Sequence, residues 1–221
     1  RSVATSYLPQ PRRIRMSRRH ARPEKRGTRA SLALRLALRL ALIALLAVNA
    51  GCIGSGGVGP NADVPLRTVE AVDLDRFAGR WYVIESMPTS QEEGAHDAVE
   101  IYTMEGEGRI DIQFTFREGS FDGPLRSIPQ RGRVHDETTN AEWRVSPLWP
   151  IWLDYLILDL GPDYEYTVVG HPSKKYVWIM SREPALEAET LAEIRQRLAD
   201  AGYDVSRIQP VPQRPLAERG D

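Results

Sequence analysis

The residues that could do chemistry in this chain are few, and their spacing matches no familiar catalytic or metal-binding motif. The titratable candidates beyond the basic N-terminal segment are Glu85, His96-Asp97 with Glu100, His135 and His171. Histidines this far apart lack the spacing of a metal site, and the chain has neither a nucleophile elbow nor a Gly-rich phosphate loop. We therefore predict no metal ion, no cofactor and no enzyme activity, and interpret His96 as a polar residue at the start of a strand.

Cys52 is the only cysteine, which excludes an internal disulfide and a zinc site built from several thiolates. It follows the small residues Ala50 and Gly51. This segment resembles a bacterial lipobox, in which the cysteine becomes the lipidated first residue of the mature protein, although Asn49 replaces the usual aliphatic residue. The resemblance implies a membrane anchor at Cys52. Because Ile53 rather than Asp follows, it also implies the outer membrane of a Gram-negative bacterium, with the protein facing the periplasm.

The first fifty residues have the layout of a secretory signal. An Arg-rich stretch over 17–39 precedes an uncharged apolar run over 40–50. That run is shorter than the about 18 residues that a membrane-spanning helix needs. A basic amphipathic helix on a membrane and a transit peptide remain as alternatives. We predict a signal peptide over 1–51, of which residues 1–15 precede the first methionine, Met16, and need not be translated.

Charge is divided unevenly along the 221 residues. Residues 1–39 contain 12 basic residues and one acidic residue, whereas the rest contains 17 basic and 29 acidic residues, giving net charges of +11 and -12. A nucleic-acid-binding domain needs basic clusters on its own folded surface. The acidic body therefore predicts no nucleic-acid partner.

Beyond a linker at 52–68, short apolar segments alternate with Gly and Pro turn signals, as is typical of an up-and-down β protein. The predicted strands are 81–87, 97–104, 109–117, 128–135, 141–146, 153–160, 164–170 and 176–182. A helix over 187–201 has a single apolar stripe and must pack on another element. We predict an all-β fold, an eight-stranded antiparallel barrel with one C-terminal α-helix packed outside, wide enough for one small ligand.

Three segments resemble the motifs of the lipocalin family, in the right order. They are Gly79-Arg80-Trp81, Leu153-Asp154-Tyr155 and the run from Tyr176 to Arg182. The following helix is similar to that of bacterial lipocalins, a branch that resembles apolipoprotein D. The resemblance covers about residues 69–212, the predicted lipocalin domain, and leaves 213–221 as a disordered tail.

The resemblance implies a protein that binds or carries a small hydrophobic ligand, a fatty acid or a lysophospholipid, without covalent chemistry. It also implies structural roles for three residues. Gly79 would permit a tight turn into the first strand, Trp81 would close one end of the barrel, and Arg182 would pack its guanidinium on that indole.

Trp178 is the first candidate for the ligand cavity. If Trp81 and Arg182 point inward, the two-residue period of a strand turns Trp178 and Tyr176 inward as well. The same rule assigns Val83, Glu85 and Met87 to the inner face of the first strand. The further cavity candidates are Phe114, Phe116, Tyr102, Trp143, Tyr155 and Tyr166. Each of these could instead fill the core, whereas an inward Glu85 would need a partner or a raised pKa.

The loops at 88–96, 118–127, 147–152 and 170–175 would surround the open mouth of such a barrel. Trp149 and Trp152 lie in a loop too apolar for a solvated hairpin. They would touch a bilayer or gate the cavity, or else fold down as a lid. Lys174 and Lys175 could meet a phosphate or carboxylate head group, or form a solvated charge pair.

Two other functions stay open at this stage. An isomerase or hydratase on the same barrel would need two convergent titratable groups inside it. An envelope protein with a filled barrel would bind nothing. The sequence assigns no oligomeric state.

Overall fold

The computed structural model describes residues 64–219. The predicted signal peptide, Cys52 and most of the linker lie outside the described residues. The elements in chain order are α1 (Leu74–Phe77), β1 (Gly79–Met87), β2 (Ala95–Gly106), β3 (Arg109–Glu118), β4 (Leu125–Val134), β5 (Glu142–Leu148), β6 (Ile151–Leu160), β7 (Tyr166–Gly170), β8 (Val177–Ser181), α2 (Ala188–Asp200) and β9 (Gln209–Pro210), with 3₁₀ turns at Val205–Arg207 and Leu216–Glu218.

Strands β1 to β8 form a closed antiparallel barrel. Each strand pairs with the next along the chain, and β1 closes the barrel by pairing with both β8 and β2. The predicted eight-stranded up-and-down barrel is confirmed. The sequence did not predict the short β9. It pairs with the C-terminal half of β1, where Glu85 and Ser86 lie opposite Pro210 and Gln209.

Helix α2 packs against the outside of the barrel, as predicted. Its apolar stripe places Ile194 and Leu198 in a buried cluster with Val177 and Ile179 of β8. Within residues 64–219, no helix is long and apolar enough to cross a membrane.

Large side chains fill one end of the barrel, which we call the closed end. Phe77, Trp81, Tyr102 and Trp143 are buried there, and the Phe77 ring lies 5.1 Å from the Trp81 ring and 5.1 Å from the Trp143 ring. Gly79 turns the chain from α1 into β1 with a φ of +95°, a conformation that glycine adopts without strain. The other end, which we call the mouth, is formed by the turns between the strands at 88–94, 119–124, 149–150 and 171–176.

A β-bulge corrects the predicted direction of Glu85 and Met87. The pairing of β1 with β8 shifts register between Val83 and Glu85, and one extra residue reverses the alternation of faces beyond that point. Val83 stays in the barrel core, whereas Met87 packs in the cluster under α2. Glu85 points outward and accepts two hydrogen bonds of 2.8 Å from Arg195 of α2.

The structure places residues 213–219 against the barrel, where the sequence predicted a disordered tail. Gln213 Nε2 donates to the carbonyl oxygens of Val83 and Ala98 at 2.6 and 3.0 Å. The buried carboxylate of Asp97 binds Arg214 at 2.6 Å and Arg219 at 3.2 Å. These contacts tie the segment to β1 and β2. A Gln and two Arg among prolines carry no hydrophobic pattern that would reveal such packing.

Candidate functional site

A cavity of about 300 Å³ opens at the mouth of the barrel, above the filled closed end. Its apolar wall comes from inward-facing residues of β3 to β6 and β8. These are Phe114, Ile128, Val145, Leu153, Tyr155 and Trp178, with Pro147 and Tyr176 beside the mouth. Cavities of this size with mostly apolar walls and a few polar groups are typical of small-molecule sites.

Glu100 is buried in the wall of the cavity, next to two tyrosines. Its Oε2 accepts hydrogen bonds from the hydroxyls of Tyr102 and Tyr155, the second at 3.2 Å, and the two hydroxyls also contact each other. Its Oε1 receives no hydrogen bond from any residue in the described part of the chain. Burial and, to a lesser extent, the charge of nearby Glu92 raise the pKa of Glu100 from 4.5 to about 8. Burial removes water from the ionised carboxylate, and a neighbouring carboxylate repels it, so both favour the protonated form.

Glu92 reaches the cavity from the turn between β1 and β2. Its Oε2 accepts hydrogen bonds from Trp178 Nε1 at 3.0 Å and from the backbone N–H of Thr89 at 3.3 Å. Burial raises the pKa of Glu92 above its ordinary value, although both hydrogen bonds favour the charged form. The turn thus places a second carboxyl group in contact with Trp178 of β8, the first cavity candidate.

The cavity contains acidic groups and no Lys or Arg among the residues that line it. Asp154 also borders the cavity, but it alternates with the inward Leu153 and Tyr155 along β6 and forms an ion pair with Arg144 of β5. His171 lies at the mouth, where burial lowers its pKa below 6.5 and favours the neutral imidazole. The lining of the cavity therefore offers carboxyl groups and no cationic side chain.

Apart from Met87, which packs under α2, the ten predicted cavity residues separate into three groups. Phe114, Tyr155, Tyr176 and Trp178 line the cavity. Val83, Phe116, Tyr102 and Trp143 point into the barrel but are packed in its core. Glu85 and Tyr166 lie outside the barrel. Tyr166 lies on the outer face of β7 and is directed toward α2, with its hydroxyl 3.3 Å from an Arg197 nitrogen.

Sequence reasoning named Glu100 only as a titratable candidate and did not place Glu92 or Glu100 in the ligand cavity. Glu92 lies in the polar run Gln91-Glu92-Glu93, which reads as a solvated loop. Glu100 did have a signal, since it is two residues before the cavity candidate Tyr102 and shares its strand face. Of the groups considered for catalysis, Glu100 and His171 reach the cavity, whereas Asp97 is bound by arginines outside it.

An exposed apolar hairpin projects beside the mouth. Leu148, Trp149 and Ile151 are 68, 77 and 53% exposed at the turn between β5 and β6. Trp152 is not part of this tip, because it lies on the outer face of the sheet with the Arg133 guanidinium 4.9 Å above its ring. A groove of about 740 Å³ on that outer side is lined by Leu148, Trp149 and Trp152 together with Arg131 and Arg133.

The remaining predicted residues lie where the motifs require them or near the mouth. Arg182 stacks on Trp81, with its guanidinium carbon 3.7 Å from the ring centroid. Lys174 Nζ donates to the carbonyl oxygen of Val64 at 2.6 Å, and Lys175 is exposed. No group of three or more His, Cys, Asp or Glu side chains within residues 64–219 is placed to hold a metal ion.

The sequence has relatives among curated proteins of bacteria, plants and animals. Temperature-induced lipocalin-1 of Arabidopsis thaliana is 29% identical over 157 residues, covering 67% of this chain and 83% of that protein. The outer membrane lipoprotein Blc of Escherichia coli K12 is 27% identical over 155 residues, covering 67% and 85%. Apolipoprotein D of Mus musculus is 28% identical over 152 residues, covering 63% and 76%.

Solved structures share the fold at low sequence identity. Insecticyanin of the tobacco hornworm Manduca sexta superposes with a TM-score of 0.52 at 18% identity, covering 66% of this chain and 83% of that chain. Lobster apocrustacyanin A1 gives 0.52 at 14% identity, covering 68% and 91%. The family model for the lipocalin-like domain matches residues 72–213. The chain therefore belongs to the lipocalin family, and within it is similar to the Blc lipoproteins and apolipoprotein D.

Proposed function

We propose that this protein binds and carries a fatty acid or a lysophospholipid in the barrel cavity while a lipid on Cys52 anchors it to the outer membrane of a Gram-negative bacterium, facing the periplasm. The observation that carries the proposal is the cavity of about 300 Å³ with an aromatic and aliphatic wall. The proposal includes no covalent chemistry. The lipobox resemblance at Cys52 and the similarity to proteins named outer membrane lipoproteins support the anchor and the location.

Replacing Trp178 by alanine is expected to weaken ligand binding about tenfold or more, because the indole supplies a large part of the apolar wall and holds Glu92. The protein is purified from cells that express the full chain and is extracted with organic solvent. Mass spectrometry of the extract should find about one lipid per protein in the wild type and much less in Trp178→Ala.

Trp152→Ala is the matched control, since it removes the same side chain from the outer face of the sheet. It should keep the bound lipid. An empty wild-type extract, together with unchanged tryptophan fluorescence when lipids are added back, would contradict the carrier function and favour a barrel that binds nothing.

The exposed hairpin offers a second contact with the membrane. Tryptophan favours the bilayer interface, and Arg131 and Arg133 lie near the tip, where anionic lipid head groups would meet them. Cys52→Ser should move the protein from the membrane fraction to the soluble fraction. Leu148→Ser with Trp149→Ser should leave the anchored protein in the membrane but slow lipid transfer between vesicles several-fold.

Leu216→Ser is the control for this pair, because Leu216 is also exposed but lies in the C-terminal segment. It should transfer lipid at the wild-type rate. Equal transfer by the hairpin variant and the wild type would remove the hairpin from the mechanism, and membrane retention of Cys52→Ser would contradict the lipid anchor.

A further inference from the structure

The polar groups of the cavity do not suit a ligand that carries its negative charge into the barrel. Glu92, Glu100 and Asp154 line the cavity together with His171, and the lining includes no Lys or Arg. Asp154 has Arg144 as its partner. Glu92 and Glu100 have only neutral hydrogen-bond donors. A carboxylate or phosphate brought beside them would lose its hydration without gaining a counter-charge, which is strongly unfavourable in a site of low dielectric constant.

The same groups suit a cation. Glu100 is 5% exposed, and its Oε1 is left without a hydrogen bond from the described residues while Oε2 accepts both tyrosine hydroxyls. Glu92 lines the same cavity, close enough for its charge to act on Glu100, and is held by Trp178. The rings of Tyr155, Trp178 and Tyr176 line the cavity with them, with Trp178 stacked against both tyrosines. Carboxylates together with aromatic rings are the side chains that bind ammonium groups in proteins.

We propose that the ligand of this cavity is a single-chain amphiphile with an ammonium head group, which lies between Glu92, Glu100 and the aromatic wall while the chain contacts the apolar residues. The proposal rests on the carrier function and selects among its ligands, favouring an ammonium-bearing lipid over a free fatty acid. Burial makes ionisation of Glu100 unfavourable and raises its pKa. A cation bound beside Glu100 would offset this cost, because it stabilises the ionised carboxyl group.

Three amphiphiles of one chain length test the preference, namely dodecyltrimethylammonium, dodecanol and dodecanoate, each below its micelle concentration. They compete with the neutral probe N-phenylnaphthylamine for the protein purified from cells expressing the full chain. We expect the ammonium compound to bind at least about tenfold more tightly than dodecanoate, with dodecanol between them. Because the body as a whole is acidic, the titration is repeated in high salt, which screens its surface charge but not the buried site.

Glu92→Gln and Glu100→Gln locate the preference. Combined, they should reduce the affinity for the ammonium compound about tenfold and abolish its advantage over dodecanoate. Glu105→Gln is the matched control, because it makes the same change of charge at an exposed position of β2 and should change neither affinity.

Dodecanoate binding as tightly as the ammonium compound in the wild type would overturn the inference and leave the carrier function intact. An unchanged preference in the folded double Gln variant would overturn it too. If none of the three displaces the probe, the carrier function fails together with the inference. The comparison of the three amphiphiles uses the wild-type protein alone. It therefore decides the question even if the double variant does not fold.

Discussion

Replacing Arg182 by alanine is expected to lower the free energy of unfolding by about 3 kcal/mol. The guanidinium lies 3.7 Å from the centroid of the Trp81 ring and donates to the carbonyl oxygens of Arg76, Phe77 and Arg80 at 2.6, 3.1 and 2.8 Å. One side chain thus joins the plug of the closed end to the corner between α1 and β1. Without it the corner loses three charge-assisted hydrogen bonds at once.

Urea unfolding followed by circular dichroism measures the effect. Arg182→Lys should recover less than half of the loss, because an ammonium group cannot spread over the indole and reach three carbonyls as a planar guanidinium does. Arg207→Ala, at an exposed position of a 3₁₀ turn, should change stability by less than about 0.5 kcal/mol. Wild-type stability in Arg182→Lys would show that charge alone, without the shape of the guanidinium, holds the corner.

The barrel could be predicted from the sequence because its signals are local and repeated. In β3 the apolar residues Ile110, Ile112, Phe114 and Phe116 alternate with polar ones, and the structure buries all four. Gly79 and Trp81 stand at fixed spacing before the first strand. These signals remain informative when the predicted ends of a strand are slightly wrong, because the face of each residue depends only on the two-residue period.

The direction of Glu85 could not be predicted in the same way. The segment from Trp81 to Met87 is buried along its whole length, since β1 faces the core on one side and α2 or the C-terminal segment on the other. A strand buried on both faces has no polar side to reveal an extra residue. The bulge after Val83 therefore left no trace in the hydrophobic pattern, and Arg195, which binds Glu85, is 110 residues away along the chain.

The candidate site contains residues that the sequence pattern could place and residues that it could not. Trp178 follows from its position relative to Arg182 in one regular strand, and the structure places it in the cavity wall. Glu92 comes from an irregular turn, where no period relates sequence to direction. Only the folded barrel brings it within 3.0 Å of Trp178 and into the same cavity as Glu100. Regular strands thus pointed to part of the aromatic wall, whereas the positions of the carboxyl groups depend on turns and packing that the sequence pattern does not show.

Stability should fall as the pH rises from 5 to 9, and Glu100 should cause most of the fall. The folded state raises the pKa of this carboxyl group from 4.5 to about 8, so the folded protein keeps a proton that the unfolded chain releases. The folded state therefore binds more protons in this range, and its stability decreases with pH. The expected loss is about 4 kcal/mol between pH 5 and pH 9. Glu92, whose pKa is also raised, acts in the same direction.

Glu100→Gln separates this effect from other titrations, because a glutamine still accepts the tyrosine hydrogen bonds but cannot ionise. The variant should match the wild type near pH 5 and exceed its free energy of unfolding by a few kcal/mol at pH 9, with Glu105→Gln following the wild type throughout. His171, with its pKa below 6.5, contributes equally to wild type and variant and cancels in the comparison. Parallel pH profiles of wild type and Glu100→Gln would show that Glu100 ionises in the folded barrel as readily as in the unfolded chain. Glu100 would then carry its negative charge at neutral pH, which would strengthen rather than weaken the attraction of the cavity for a cationic ligand.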